Sequence, residues 1–156
     1  MAITQAIANA FKKQLLEGDH NFKSSGGDVF KLALYTSSAT LNSTTTAYST
    51  NPGGGANTEV GNSGQYTAGG GKLVNSGTAI GTGTGKGVAF VDFADRSFTG
   101  VTLTARGALI YNTSSATTNA AVAVLDFGGD KTATSGTFTI QFPAATTSAA
   151  ILRISG

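Results

Sequence analysis

The stretch 98–127 constrains this chain more than any other. It reads Phe-Thr-Gly-Val-Thr-Leu-Thr-Ala-Arg-Gly-Ala-Leu-Ile-Tyr-Asn, passes through Thr-Ser-Ser-Ala-Thr-Thr-Asn, and resumes as Ala-Ala-Val-Ala-Val-Leu-Asp-Phe. Two apolar, β-rich runs on either side of a Ser/Thr/Asn turn form the pattern of a long hairpin or a pair of packed strands. We expect strands over 98–105, 108–111 and 121–127. Gly107 interrupts the middle run, which predicts a bulge or a close backbone approach.

The remaining strands follow from alternation. In 28–36, Phe30, Leu32 and Leu34 alternate with Lys31, Ala33 and Tyr35, giving one apolar face. Strands are also expected over 72–80 and 87–95, the second apolar enough on both faces to be central. Thr137 opens a strict alternation that puts Phe138, Ile140 and Phe142 on one face before Pro143 ends it. The segment 126–136 reads as turn-rich, and 149–154 as the last strand. Many short strands with Gly-rich turns and no helices between them indicate a mostly β fold. The expectation is an antiparallel β-sandwich, jelly-roll-like, with Phe30, Leu32, Leu34, Phe90, Leu103, Phe138, Ile140 and Phe142 in its core.

One helix precedes the strands. Over 4–17, the residues Ile3, Ile7, Ala10, Phe11 and Leu15 fall on one stripe at helical spacing. Thr4 is placed to cap it and Gly18 to end it in a left-handed conformation. The favoured reading lays this helix on its own sheet; the alternative docks it on a neighbouring subunit. The chain divides into 1–27, a helix and polar linker, and 28–156, a single sandwich carrying a long polar loop over 37–71. A loop of that length is unusual in a compact domain. It is either an excursion ordered by a partner or the site of short strands near Tyr48 and Tyr66.

Composition narrows the function classes. Charged residues make up 12% of the 156, about half the usual share. A surface of Ser, Thr, Asn and Gly suits a chain packed against neighbours, and equally a secreted or cell-surface β-domain. The net charge of +2 is not concentrated, and Lys12-Lys13 is the sole adjacent basic pair. The clustered cations and aromatics of a nucleic-acid binder are missing, so no nucleic-acid partner is expected. No apolar run reaches membrane-spanning length, and the first residues do not pattern as a signal peptide, so synthesis and folding in a cytoplasm are expected. With no cysteine there is neither a disulfide framework nor a thiolate metal site.

Motifs for catalysis fail on inspection. The Gly-rich run 81–87 lacks the spacing of a phosphate loop, since Ile80 and Gly87 stand where Gly and Ser/Thr are required. Asp126-Phe-Gly copies a kinase tripeptide without its companions. His20, the one histidine, sits in a polar linker and reads as a solvated loop residue. Asp92 with Asp95, and Asp126 with Asp130, lack the dense ligand spacing of a calcium loop and read as turn caps. Asn42 and Asn112 head chance matches to the glycosylation sequon. No catalytic, cofactor-binding or metal-binding residues are assigned, no cofactor is expected, and the chain reads as a non-enzyme.

Five stretches together resemble small structural proteins of tailed-bacteriophage virions: Leu-Ala-Leu-Tyr-Thr-Ser-Ser-Ala-Thr-Leu at 32–41, Gly-Gln-Tyr-Thr-Ala-Gly-Gly at 64–70, Val-Asp-Phe-Ala-Asp at 91–95, Ala-Arg-Gly-Ala-Leu-Ile-Tyr-Asn at 105–112 and Ala-Val-Leu-Asp-Phe-Gly-Gly-Asp-Lys at 123–131. The resemblance implies a non-enzymatic protein present in many copies on the virion, made in the host bacterial cytoplasm. It points to a capsid decoration, or cement, protein, with a tail, neck or fibre-associated component as the alternative. The implied partners are the major capsid protein or other virion proteins, and a homo-oligomer, a trimer among the options. A carbohydrate-binding adhesin remains a competing class, although Tyr48, Tyr66 and Tyr111 are scattered and no tryptophan is present. The candidate contact residues are Ile3, Ile7, Phe11, Leu15, Tyr48, Asn51 and Tyr66.

Overall fold

The computed structural model describes residues 2–156. The elements in order are β1 (Ala6–Ile7), α1 (Asn9–Glu17), β2 (Phe30–Tyr35), β3 (Gly71–Lys72), β4 (Asn75–Ile80), a 3-10 turn (Gly83–Gly85), β5 (Val88–Phe93), β6 (Arg96–Asn112), β7 (Ala120–Ile140) and β8 (Leu152–Ser155). The fold is mostly β. Two antiparallel sheets run in the orders β1-β7-β6-β2-β3 and β4-β5-β8, with one short helix near the N-terminus. These orders do not by themselves spell out jelly-roll connectivity.

The expected hairpin is the spine, and it is longer than the sequence reading. β6 and β7 are single strands of 17 and 21 residues. The turn-forming residues over 126–136 do not break β7. They are absorbed as irregularities: Ala105 pairs with Lys131 and Gly107 with Asp126, so 127–130 all stand opposite Arg106. Gly128 and Ser135 take positive φ of 74° and 45° to allow this. Gly107 does mark a close approach. A Cβ there would lie 2.5 Å from the Leu125 carbonyl oxygen and 2.8 Å from Ile3.

Both faces of the hairpin's turn end are covered. Register places Lys31, Ala33 and Tyr35 beside Tyr111, Leu109 and Gly107 on one face, and Phe30, Leu32 and Leu34 beside Asn112, Ile110 and Ala108 on the other. Tyr48 stacks on Tyr111 at 4.6 Å over the first face. Phe22 stacks on Phe30 at 4.4 Å over the second. Hence the residues of β2 and of the second half of β6 are almost all buried, whereas the first half of β6 alternates. Of the expected core, Phe30, Leu32, Leu34, Leu103, Phe138 and Ile140 are buried, while Phe90 and Phe142 are half-buried.

The expected strand over 72–80 is two strands. β3 extends the large sheet and β4 opens the small one, with the chain crossing between them at Leu73 and Val74. The return crossing lies beside it, where the Ala94 amide donates to the Val74 carbonyl. β5 is the central strand of the small sheet.

The helix is shorter than its apolar stripe. Residues 4–8 are extended, because their backbone groups find sheet partners: Ala6 and Ile7 pair with Val124 and Ala123, and the Thr4 amide donates to Leu41. Those bonds replace a first helical turn whose amides would lack acceptors. Thr4 is therefore not the cap; Ala8 is, with no side-chain bond. Gly18 ends the helix as expected, at φ 81°.

The loop 37–71 is not an excursion. Ala39, Leu41, Thr58, Glu59, Val60 and Tyr66 are buried within it. In place of short strands it makes isolated bridges, among them Tyr35 with Glu59 and Ala47 with Ala120. Ile3, Ala8, Phe11 and Phe22 join the same core as the sandwich, so the N-terminal region packs in cis.

Candidate functional site

Three constellations stand out. The first surrounds His20, which is buried rather than solvated. Its ring lies 4.8 Å from Phe11 and 6.5 Å from Phe30, centroid to centroid. Nε2 is 3.1 Å from Gln14 Oε1, and Nδ1 is 2.9 Å from Asn112 Nδ2. A neutral ring protonated on Nε2 satisfies both, donating to Gln14 and accepting from Asn112. The other Asn112 hydrogen goes to Asp28 Oδ2 at 2.7 Å, and Asn112 Oδ1 accepts from the Ser114 amide. Burial lowers the His20 pKa, against the opposing pull of Asp28 and Asp19. Every member has a structural partner, so this is a clasp joining helix, linker and hairpin, not a general base. Fully buried Asn112 is equally unsuited to carry a glycan.

The second constellation gathers all four tyrosines around Glu59. Glu59 accepts from the Tyr48 hydroxyl at 2.8 Å, the Tyr66 hydroxyl at 3.2 Å and the Gly69 amide. The Tyr66 oxygen in turn accepts from the Leu34 amide at 2.8 Å, and the Tyr111 hydroxyl donates to the Gly69 carbonyl. Burial raises the pKa of Tyr35, Tyr48 and Tyr66, with the Glu59 charge adding to it, and pushes Tyr111 up to about 12. These hydrogen bonds make Glu59 the pin that holds the loop to β2. Gly70 completes the pin: at φ 77°, a Cβ would lie 1.8 Å from the Leu32 carbonyl oxygen.

The third is an apolar trough of about 750 Å³ between α1 and the small sheet. The helix contributes Phe11, Leu15 and Leu16, and Ile7 extends that wall. Cross-strand register forms two rows on the sheet, Thr78–Val91–Leu152 and Ile80–Ala89–Ile154. Burial runs out from the first row to the second: Leu152 is covered, whereas Ile154 is 60% exposed and Ile80 72%. Leu16, on the helix side, is 91% exposed.

The sequence-derived contact residues therefore separate. Ile3 and Tyr66 are buried and offer no free surface, with Tyr66 held by Glu59, and Phe11 is buried at the floor of the trough. Ile7 and Leu15 are half-buried beside the trough, Tyr48 is half-buried on Tyr111, and Asn51 is exposed in the loop. Sequence reading missed Leu16, Ile80, Ile154 and Glu59. Leu15-Leu16 does carry a signal, since adjacent helical residues lie about 100° apart and a stripe centred on Phe11 and Leu15 leaves Leu16 at its outer edge. Asp126 acts as a turn cap, accepting from the Gly128 amide, whereas Asp95 caps no turn and instead accepts from the Phe142 amide, tying the β5–β6 connection to the segment after β7. Buried Asp92 has its pKa raised by burial and leaves Oδ1 unpartnered. Among the described residues no acid–histidine cluster fit to hold a metal occurs, and no helix is long and apolar enough to cross a membrane. Comparison with protein-family models, with curated proteins and with solved structures finds no match.

Proposed function

We propose that this chain is a non-enzymatic structural protein of a tailed-phage particle, a capsid decoration or cement protein that stabilises the shell through many weak contacts. The observation that carries the reading is the set of uncovered apolar side chains Leu16, Ile80 and Ile154, with Val74 exposed as well, on a chain rich in Ser, Thr and Gly. Exposed contiguous apolar surface marks interaction sites. The polar chemistry of the interior supports the same reading: His20 and Glu59 spend their hydrogen bonds on holding segments together. On a particle, neighbouring sites are already fixed in place, so modest single contacts are reinforced by effective concentration.

The partners are the major capsid protein or other virion proteins, with a homo-oligomer such as a trimer as the unit that docks. The site of action is the virion, after synthesis in the host bacterial cytoplasm. The motifs from 32 to 131 set out above support this choice over a carbohydrate-binding adhesin. The aromatic distribution adds to it, since Tyr35, Tyr66 and Tyr111 are buried and form no exposed platform for a sugar. The experiment is quantitative mass spectrometry of purified particles. Abundance close to that of the main shell chain supports decoration, a few copies per particle favours a tail, neck or fibre position, and absence overturns the reading.

A further inference from the structure

The trough combines features that specify an occupant. Its floor is apolar, from Phe11, Leu15, Val91 and Leu152. Its rim is basic: Lys12, Lys23 and Arg153 line it, and none of the described lining residues is acidic. Those cations are not neutralised within the chain. Lys12 donates to Asn9 Oδ1 at 3.2 Å and Arg153 to the Thr147 carbonyl at 3.2 Å, while the ion pairs among the described residues are Lys13 with Glu17 and Arg106 with Asp126.

The border of the trough is a free strand. β8 pairs with β5 alone, so its outer backbone N–H and C=O groups face no sheet neighbour. Such an edge is a template for an added strand. A strand laid beside β8 would continue the rows Val91–Leu152 and Ala89–Ile154, and its alternate side chains would fall on the apolar face.

From this geometry we infer that the trough receives an extended segment of a neighbouring, different protein chain, apolar on alternate residues and acidic beside them, added as a strand to the outer edge of β8. Two other occupants fit less well. A second copy related by symmetry would bring two basic rims together, which like charge opposes. A small anionic amphiphile could fill the apolar floor but would leave the edge of β8 unpaired. The inference rests on the proposed function only in taking the neighbouring chain to be another virion protein.

The test uses the full-length chain and a labelled seven-residue peptide alternating valine and glutamate, with a valine–lysine peptide as comparison, followed by fluorescence anisotropy. The glutamate peptide binds at least about 10-fold more tightly than the lysine peptide, because complementary charge discriminates between partners. Binding is lost in Ile154→Asp and in Arg153→Glu. It is unchanged in Thr134→Asp, which lies on the exposed part of β7. Equal binding of both peptides, or undiminished binding by Ile154→Asp, overturns the inference. So does failure of the glutamate peptide to bind. Self-association abolished by Ile154→Asp would assign the trough to a second copy, and dodecanoate binding without peptide binding would assign it to an amphiphile; either also overturns it. Circular dichroism of each variant separates unfolding from loss of the site. Particle binding separates the structural role from the trough assignment: if wild type and Ile154→Asp both bind particles, the structural role stands and the trough assignment falls.

Discussion

Asn112 Nδ2 lies 2.9 Å from His20 Nδ1, joining residues 92 positions apart through a bond that requires a neutral imidazole. Protonating Nδ1 would set a donor against a donor. Burial lowers the folded pKa of His20 below its ordinary 6.5, so below that pH the unfolded chain binds the proton first and stability falls. Urea unfolding midpoints are therefore level above pH 6.5 for this group and decline as the pH drops through it toward the folded pKa. His20→Gln flattens that part of the profile. A midpoint that rises on acidification between neutrality and pH 6.5 would contradict the neutral clasp.

Glu59 gives a prediction at the loop. In Glu59→Gln one acceptor oxygen becomes an amide donor facing Tyr48 or Tyr66, and a buried donor left unpaired costs about 1–3 kcal/mol. Thermal denaturation reads the loss. Deleting 51–71 removes the Glu59 and Tyr66 contacts outright and lowers the melting temperature strongly, whereas removing the exposed Gly53 and Gly54 is nearly silent.

The tyrosines predict an alkaline limit. Burial raises all four above the ordinary 10.0, Tyr111 to about 12. The folded chain thus holds its phenolic protons where the unfolded chain releases them, so this contribution is complete below pH 10.0 and is lost as the pH rises above it. Phenolate absorbance stays low between pH 10.0 and about 12 while the fold persists, then rises as it unfolds. Smooth titration of all four tyrosines near 10 would contradict the burial.

Gly70 tests the backbone. Gly70→Ala meets positive φ and the Leu32 carbonyl together, and strain alone costs on the order of 1–3 kcal/mol. A melting temperature equal to wild type would show that the loop does not seat on β2 as described.

What was legible in the sequence follows from what is local. Alternation at Phe138 and Ile140 was legible because the end of β7 is half-buried and writes its faces in its own residues; at Phe30, Leu32 and Leu34 it named the strand and one face, while the burial of Ala33 and Tyr35 on the other comes from segments distant in sequence. Gly18 and Gly107 were legible because few other residues suit those backbones. The helix start was not, since residues 4–8 are claimed by β7 and Leu41, partners distant in sequence. His20 looked solvated for the same reason: its burial is made by Asn112 and Phe30, not by its polar neighbours. The trough was unreadable because its walls, α1, β5 and β8, come from the start, the middle and the end of the chain.

The central claim, a structural role through surface contact on a particle, is tested most directly by reconstitution. Purified chain is added to phage particles produced without it, and the particles are recovered by gradient sedimentation and heated. The account predicts that the chain co-sediments in numbers comparable to the main shell protein and raises the temperature at which the particles release their DNA. Particles that recover none of the chain, with heat resistance unchanged, would contradict it.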